Sequence, residues 1–142
     1  MNEEKNIDIV LQSLKAEARG DVEKALALLH SKYTMTWVYV GKNGELFPAS
    51  KPDFKKQMKE VYAIKGRKYD IKNIIASGDV VMVELIESYS DQKTKKVYRT
   101  PEVIIVEMKD GKIKTGRHYC DPRLSYTDLT ENQIKKIFKG KL

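Results

Sequence analysis

The sequence predicts an α+β fold in which a strongly bent antiparallel sheet, shaped like a cone, packs on N-terminal helices. Apolar residues recur at helical spacing near the N-terminus, whereas from residue 68 onward they form runs typical of strands. The pair Asp110-Gly111 separates the last two runs and is a strong signal for a tight hairpin, because both central positions of such a turn need positive φ.

The first two helices follow from apolar spacing. The residues Ile7, Val10, Leu11 and Leu14 recur at i, i+3, i+4 and i+7. This spacing predicts an amphipathic helix over about residues 4–18, which Gly20 ends. Asp21 is suited to cap a second helix, and His30 falls at its C-terminal end, where a cation favours the helix dipole. The apolar residues of that second helix are Val22, Ala25, Leu26 and Leu29.

A strand and a third helix come next. In YTMTWVYVG, residues 33–41, the apolar period changes to two, which predicts the first strand. A loop over residues 42–49 leads to Ser50 and Asp53, whose spacing is that of a capping box at a helix N-terminus. The apolar stripe of this helix consists of Phe54, Met58, Val61 and Tyr62, and Gly66 ends it.

Four strands in a meander and a short C-terminal helix complete the predicted fold. The strand runs are KYDIKNIIA, VVMVELIESYS, VYRTPEVIIVEMK and KIKTGRHYC. Pro101 cannot donate to a strand ladder, so we expect a bend or bulge there. The last helix begins with a capping box from Thr130 to Gln133 and has Ile134, Ile137 and Phe138 on its apolar side.

Length and composition indicate one domain over residues 1–142, with a core over about residues 4–121 and a C-terminal extension over 122–142. Hydrophobic residues make up 41% of the chain, which is enough for a core, and the single cysteine excludes an internal disulfide. The N-terminus lacks the features of a secretory signal, and no apolar run approaches the roughly 20 residues of a membrane span. We therefore expect a cytoplasmic protein with no membrane partner.

The formal charge of +7 raises the question of an anionic partner. The lysines are interleaved with Asp and Glu instead of being gathered with aromatic residues into one stripe, which favours a solvated surface. The chain has no glycine-aromatic RNA-binding signature and no Cys/His finger. Contact with nucleic acid or an anionic surface is therefore the third and weakest hypothesis for this chain.

Several stretches resemble the nuclear transport factor 2 superfamily, in particular its SnoaL-like and limonene-epoxide-hydrolase-like branches. The matching stretches are Asp21 to Leu29, TMTWVYV, VVMVELIES, TPEVIIVEMKDGKI and GRHYCD, which together span residues from about 4 to 121. The resemblance implies the cone fold of ketosteroid-isomerase-type proteins, with a pocket for a mostly apolar small molecule. It also implies a homodimer through the outer face of the sheet.

The epoxide-hydrolase branch uses an Asp-Arg-Asp constellation, with a Tyr and an Asn from the first strand, to activate a water. By motif, Leu85 takes the place of the arginine, Glu87 that of the second acid and His118 that of the other aspartate. Trp37 and Tyr39 fall at the first-strand positions. Because the arginine is lost and an acid is exchanged for histidine, the resemblance implies a pocket and not that reaction.

Strand parity leads to nearly the same residues. Residues Val81, Val83, Leu85, Glu87 and Tyr89 share one face of their strand, and Lys114, Gly116, His118 and Cys120 share one face of the last strand. If Glu87 reaches His118, it fixes the imidazole tautomer and raises the imidazole pKa, which would give an acid or base near neutrality. The alternative is that His118 bonds a neighbour at the sheet edge while Glu87 faces water.

The predicted catalytic residues are thus His118 as base or acid, Glu87 as its orienting carboxylate, and Tyr39 as donor to developing oxyanion charge. The predicted ligand-binding residues are Trp37, Met58, Tyr62, Leu85 and Cys120. Aromatic and methionine residues at these spacings are equally typical of core, and Tyr98 and Glu102, which flank Pro101, are weaker candidates. Arg117 and Tyr119 alternate away from His118 toward the outer face. We expect no metal and no cofactor.

The sequence leaves two main functional hypotheses. The first is a SnoaL-like small-molecule pocket with cofactor-free proton-transfer chemistry of the isomerase, cyclase or hydrolase type. The second is a non-catalytic ligand-binding or dimerisation module, since the fold alone does not dictate function.

Overall fold

The computed structural model describes residues 2–38, 47–60, 66–120 and 129–139. The helices are α1 (Asn2–Arg19), α2 (Val22–Ala27), α3 (Lys51–Glu60) and α4 (Glu131–Ile137). The strands are β1 (Leu29–Trp37), β2 (Phe47–Ser50), β3 (Lys68–Ser77), β4 (Val80–Ser90), β5 (Val97–Lys109) and β6 (Lys112–Tyr119). The predicted fold class, with helices at the N-terminus and a short helix at the C-terminal end, is confirmed.

The described strands form one sheet in the order β2-β1-β6-β5-β4-β3. Strands β3 to β6 are an antiparallel meander, as predicted, and β2 pairs with β1 in antiparallel fashion. Strand β1, however, runs parallel to β6, with Met35 opposite Gly116 and Trp37 opposite His118. The sheet is therefore mixed and not purely antiparallel, and its first and last long strands are neighbours.

Helix α1 packs on one face of the sheet, which we call the inner face. Alternation along β5 places Thr100, Glu102, Ile104, Val106 and Met108 on this face. The apolar members join a buried core with Val10 and Leu14 of α1, Met58 of α3 and Val81, Val83 and Leu85 of β4. Burial of such side chains contributes about 1.5–3 kcal/mol each, so this row holds α1 against the sheet.

The second helix ends earlier than the sequence predicts. Its last carbonyls are taken by β6, because Lys112 Nζ donates to Ala27 O at 2.7 Å and the Ile113 amide donates to Leu28 O at 3.0 Å. Leu29 and His30 consequently begin β1. The helix-end role predicted for His30 is wrong: its Nδ1 accepts the Lys32 amide at 3.0 Å, and its Nε2 lies 3.6 Å from Asp110 Oδ2.

Turns and irregularities agree with the prediction in part. Asp110 and Gly111 have φ of 52° and 69°, as the predicted hairpin requires. Pro101 keeps a regular register with Ile86, so the expected bulge there is wrong; bulges occur between Ile71 and Asn73 and between Glu107 and Met108. Strand β6 ends opposite Val103, so Pro101 lies beyond that ladder, where its missing N–H costs nothing. The short strand β2 was not predicted.

Helix α4 lies against the outer face of the sheet. Arg99 of β5 donates from Nη1 to Leu129 O at 3.2 Å, and its Nη2 lies 3.7 Å from Glu131 Oε1. The predicted capping box between Thr130 and Gln133 is present. Ile134 is buried, but Ile137, which was predicted on the apolar side, is 59% exposed. The helix therefore covers one end of the outer face and leaves the inner face to α1.

Candidate functional site

Polar side chains replace apolar ones at one end of the inner face. In β4 the row of Val81, Val83 and Leu85 continues to Glu87. In β5 Ile104 is followed, toward the strand start, by Glu102 and Thr100, and in β6 Gly116 is followed by His118. The register places Leu85 opposite Glu102, Glu87 opposite Thr100 and Ile104 opposite His118. We call this region, formed by Glu87, Thr100, Glu102 and His118, the polar end.

Glu102 is the acid that approaches His118. Its Oε2 lies 3.9 Å from His118 Nδ1, beyond hydrogen-bond distance, and this oxygen accepts no hydrogen bond within the described residues. Glu102 is only 8% exposed, and the His118 side chain is 17% exposed. A buried carboxyl and an imidazole therefore face each other without a hydrogen bond between them.

Burial sets the protonation of this pair. Burial raises the pKa of Glu102 to about 7; the charge of Glu17 raises it further and Arg67 opposes the rise. Burial lowers the pKa of His118 to about 4. At neutral pH the imidazole is therefore uncharged, while the carboxyl is divided between its acid and its base forms.

Glu87 does not pair with His118, so the pairing that the sequence left open beside its alternative is not formed. Strand β5 lies between β4 and β6, and Glu87 is opposite Thr100 whereas His118 is opposite Ile104. Glu87 is therefore separated from the histidine by two strand spacings, about 9–10 Å, and by a further offset of about 13 Å along the strands. Glu87 instead forms an ion pair with Arg67, whose guanidinium lies 5.0 Å from the Tyr89 ring centroid. The rise in the His118 pKa that pairing with Glu87 would cause does not occur either, because burial lowers this pKa.

Helix α1 supplies a carboxyl that sequence reasoning missed. Tyr69 of β3 donates its hydroxyl to Glu17 Oε2 at 2.9 Å. Burial raises the pKa of Glu17 to about 7, and Tyr69 and Arg67 both oppose the rise. Burial, with the charge of Glu17, also raises the pKa of Tyr33. The available signal was the spacing of Val10, Leu14 and Glu17, which puts the acid on the apolar stripe of the helix.

A small cavity of about 40 Å³ lies between α1 and the inner face. Its lining combines apolar side chains with Ser13, Glu17, Tyr33, Gly116 and His118. The space holds about three water molecules, well below the several hundred Å³ of a pocket for a drug-sized molecule. His118 is the residue that the cavity lining shares with the polar end.

The other predicted site residues fall into three groups. Leu85 and Met58 are 0% and 1% exposed and belong to the core. The half-buried Trp37 places its ring centroid 6.0 Å from that of His118, and Cys120 is half-buried one residue after β6. Tyr39 and Tyr62 lie outside the described residues, so the roles predicted for them stay predictions.

Over the described ranges, no group of three His, Cys, Asp or Glu side chains is placed to hold a metal ion. No helix among the same residues is long and apolar enough to cross a bilayer.

A family model described as SnoaL-like domain matches residues 10–115 of the chain. Among solved structures, an LEH-like epoxide hydrolase from M. tuberculosis shares 17% identity at a TM-score of 0.73, over 96% of this chain and 98% of that one. A putative isomerase from Bacillus subtilis shares 16% identity at a TM-score of 0.73, over 89% and 97% of the two chains. No curated protein matches the chain.

A putative polyketide cyclase from Xanthomonas campestris is similar at 18% identity and a TM-score of 0.66, over 87% of this chain and 95% of that one. At these identities the structures establish the fold alone. Together with the family match, they confirm the resemblance that the strand and hairpin motifs indicated.

The His118 pKa is the first testable property of the site. We expect its imidazole proton signals in NMR to titrate well below the ordinary value of 6.5, because burial disfavours the charged ring. Glu87→Gln should leave this midpoint unchanged, since Arg67 holds that carboxylate. His30→Gln assigns the signals. A midpoint at or above 6.5 would mean that the ring is solvated or paired with an ionised acid.

The raised Glu102 pKa predicts a pH dependence of stability. Because the folded-state pKa of about 7 exceeds the ordinary 4.5, the native state binds more protons than the unfolded state between these values. Stability therefore falls as pH rises through this window. Glu102→Gln should reduce the fall between pH 5 and pH 8 by about 2–3 kcal/mol in urea unfolding.

The matched control is Glu84→Gln, because Glu84 accepts a hydrogen bond from Asn73 on the outer face and lies outside the polar end. Equal pH profiles for the wild type and Glu102→Gln would contradict the raised pKa.

Proposed function

We propose, since the chain belongs to the SnoaL-like domain family, that it holds a small, mostly apolar ligand against the inner face and moves a proton on it without a cofactor. The observation that carries this proposal is the pair at the polar end: a buried carboxyl with a pKa of about 7, whose unpartnered oxygen faces a neutral imidazole at 3.9 Å. An acid or base works best when its pKa lies near the working pH.

The two groups suit complementary roles. Glu102 in its base form removes a proton from a ligand atom that lies beside the pair, within reach of both Glu102 and His118. The neutral His118 ring offers one N–H and one acceptor nitrogen, so it either donates to developing negative charge or returns the proton elsewhere on the ligand. Isomerisation, cyclisation and water addition all consist of such a removal and return of a proton.

Arg67 and Glu87 have a supporting role in this proposal. The ion pair holds the Glu87 carboxylate against Arg67, away from the proposed ligand proton, while the charge of Arg67 opposes the pKa rise of both Glu17 and Glu102. Glu87, predicted as catalytic, is therefore proposed as a positioning residue. The small cavity beyond His118 receives an apolar end of the ligand of about three heavy atoms.

Proton exchange at carbon tests the chemistry. In D₂O, loss of the NMR signals from protons adjacent to the carbonyl of small cyclic ketones reports base catalysis without requiring the natural substrate. We expect the wild type to accelerate exchange with a pH midpoint near 7, and Glu102→Gln to lower the rate at least about 100-fold. Glu84→Gln should exchange at the wild-type rate, and equal exchange by Glu102→Gln would remove Glu102 as the base.

The outer face favours a second copy of the chain as partner. Ile75, Met82 and Tyr119 are 59%, 39% and 41% exposed there, and the register puts Ile75 opposite Met82 and Met82 opposite Ile105. Arg117 also faces outward, where its Nη1 lies 3.4 Å from Glu107 Oε2. Exposed apolar side chains grouped on one sheet face are typical of an interface. We propose a homodimer through this face, at the end that α4 leaves uncovered.

Light scattering coupled to size-exclusion chromatography tests the dimer. We expect the wild type to elute as a dimer and Met82→Glu to shift it to monomer, because a charge in the centre of the patch is costly to bury. Ile137→Glu on α4 is the control, since Ile137 is also an exposed apolar side chain, at 59%, but lies outside the patch. A wild type that remains monomeric at all concentrations would exclude the dimer.

A further inference from the structure

The charges at the polar end are unbalanced toward acid. Arg67 is already in an ion pair with Glu87, and two more carboxyls, Glu17 and Glu102, lie near enough to interact with its charge. The imidazole of His118, which faces Glu102, is neutral at pH 7. Each step that ionises Glu17 or Glu102 therefore adds negative charge that the described side chains here do not balance.

Two buried acceptors at the same place lack donors. Thr100 Oγ1 and Glu102 Oε2 have no hydrogen-bond partner within the described part of the chain. The two residues are 2% and 8% exposed and share the inner face of β5, with Thr100 directly opposite Glu87. An unpaired buried polar atom costs about 1–3 kcal/mol, so both sites favour a ligand that brings N–H or O–H groups.

Aromatic rings complete the surroundings. The Trp37 ring stands beside His118, and Tyr69 contacts Glu17 through its hydroxyl. Trp37 offers the ring type that attracts cations best. An anionic ligand would instead be repelled by the carboxylates, and the guanidinium of Arg67 is already in an ion pair with Glu87.

We propose that the ligand of this site is an amine, whose ammonium group binds at the polar end with Glu102 Oε2 and Thr100 Oγ1 as acceptors and whose apolar part enters the cavity past His118. This inference rests on the proposed function, because it assigns the chemical class of the ligand for the same site. The ammonium group supplies both the missing positive charge and the missing donors.

The test compares three probes of nearly equal shape: n-butylamine, n-butanol and butyrate. The cross-peak of the Trp37 indole N–H reports binding directly, because the chain has one tryptophan. We expect n-butylamine to bind at least about tenfold more tightly than n-butanol, and butyrate more weakly than either. Glu102→Gln should remove the preference for the amine and leave n-butanol unchanged, while Glu84→Gln should change neither.

A pH series gives an independent readout. An alkylammonium keeps its proton up to about pH 10, so any pH dependence below that value comes from the protein. With the Glu102 pKa at about 7, n-butylamine affinity should rise about tenfold from pH 6 to pH 8. The rise should be smaller in Glu102→Gln, where Glu17, whose pKa is also about 7, is the acid that still titrates. Thr100→Val, which keeps the shape of the side chain, should also weaken n-butylamine, and it serves in place of Glu102→Gln if that variant does not fold.

Equal affinities for n-butylamine and n-butanol, unaffected by Glu102→Gln, would overturn the amine assignment and leave the proposed pocket standing. No response of Trp37 to any of the three probes would overturn it together with the pocket. Binding of n-butylamine as expected, combined with ketone exchange that does not depend on Glu102, would support the amine and reject the proposed chemistry.

Discussion

The buried guanidinium of Arg67 is the charge on which the polar end depends. It lies just before β3, forms an ion pair with Glu87 of β4, and acts electrostatically on Glu17 of α1 and Glu102 of β5. Removing one partner of a buried ion pair leaves an uncompensated charge, which costs about 3–5 kcal/mol. Without Arg67, Glu87 would lose its counter-ion and the pKa values of Glu17 and Glu102 would rise further. One side chain therefore interacts with three elements and moderates the pKa rise that burial causes in two acids.

Much of the fold could be predicted because it depends on local periods. The helical spacing of Val10 and Leu14, the alternation in the strands and the Asp110-Gly111 turn each indicate one element, and parity correctly puts His118 on the same face as Gly116. The boundary between α2 and β1 was wrong because it depends on β6, which takes the last carbonyls of the helix. Likewise, the parallel pairing of β1 with β6 joins distant segments, and no local pattern records it.

The candidate site could be predicted only in part, for the same reason. Residue type and parity single out Glu87 and His118, but pairing depends on which strand lies between them and on an arginine outside any strand. Glu102, which was a weaker candidate beside Pro101, becomes the central acid because it lies opposite Leu85 and two residues from Ile104, the partner of His118, so that its carboxyl approaches the imidazole. Glu17 was overlooked because one acid on an amphipathic helix is usually solvated. Burial, which the tertiary fold decides, changes the chemistry of each of these groups.

The two ends of the inner face follow opposite rules. At the apolar end, the side chains pack against α1 in the buried core; these are Val81, Val83, Val106 and Met108. At the polar end, two carboxyls are kept in surroundings that favour their neutral forms. Two acceptors there have no donor among the described residues, a cost that apolar side chains would avoid. Natural proteins accept such losses of stability mainly at functional sites. This loss of stability therefore points to a bound ligand group that compensates for it by donating hydrogen bonds and by tolerating or supplying positive charge. The neutral imidazole of His118 is the nearest group able to exchange a proton with such a ligand.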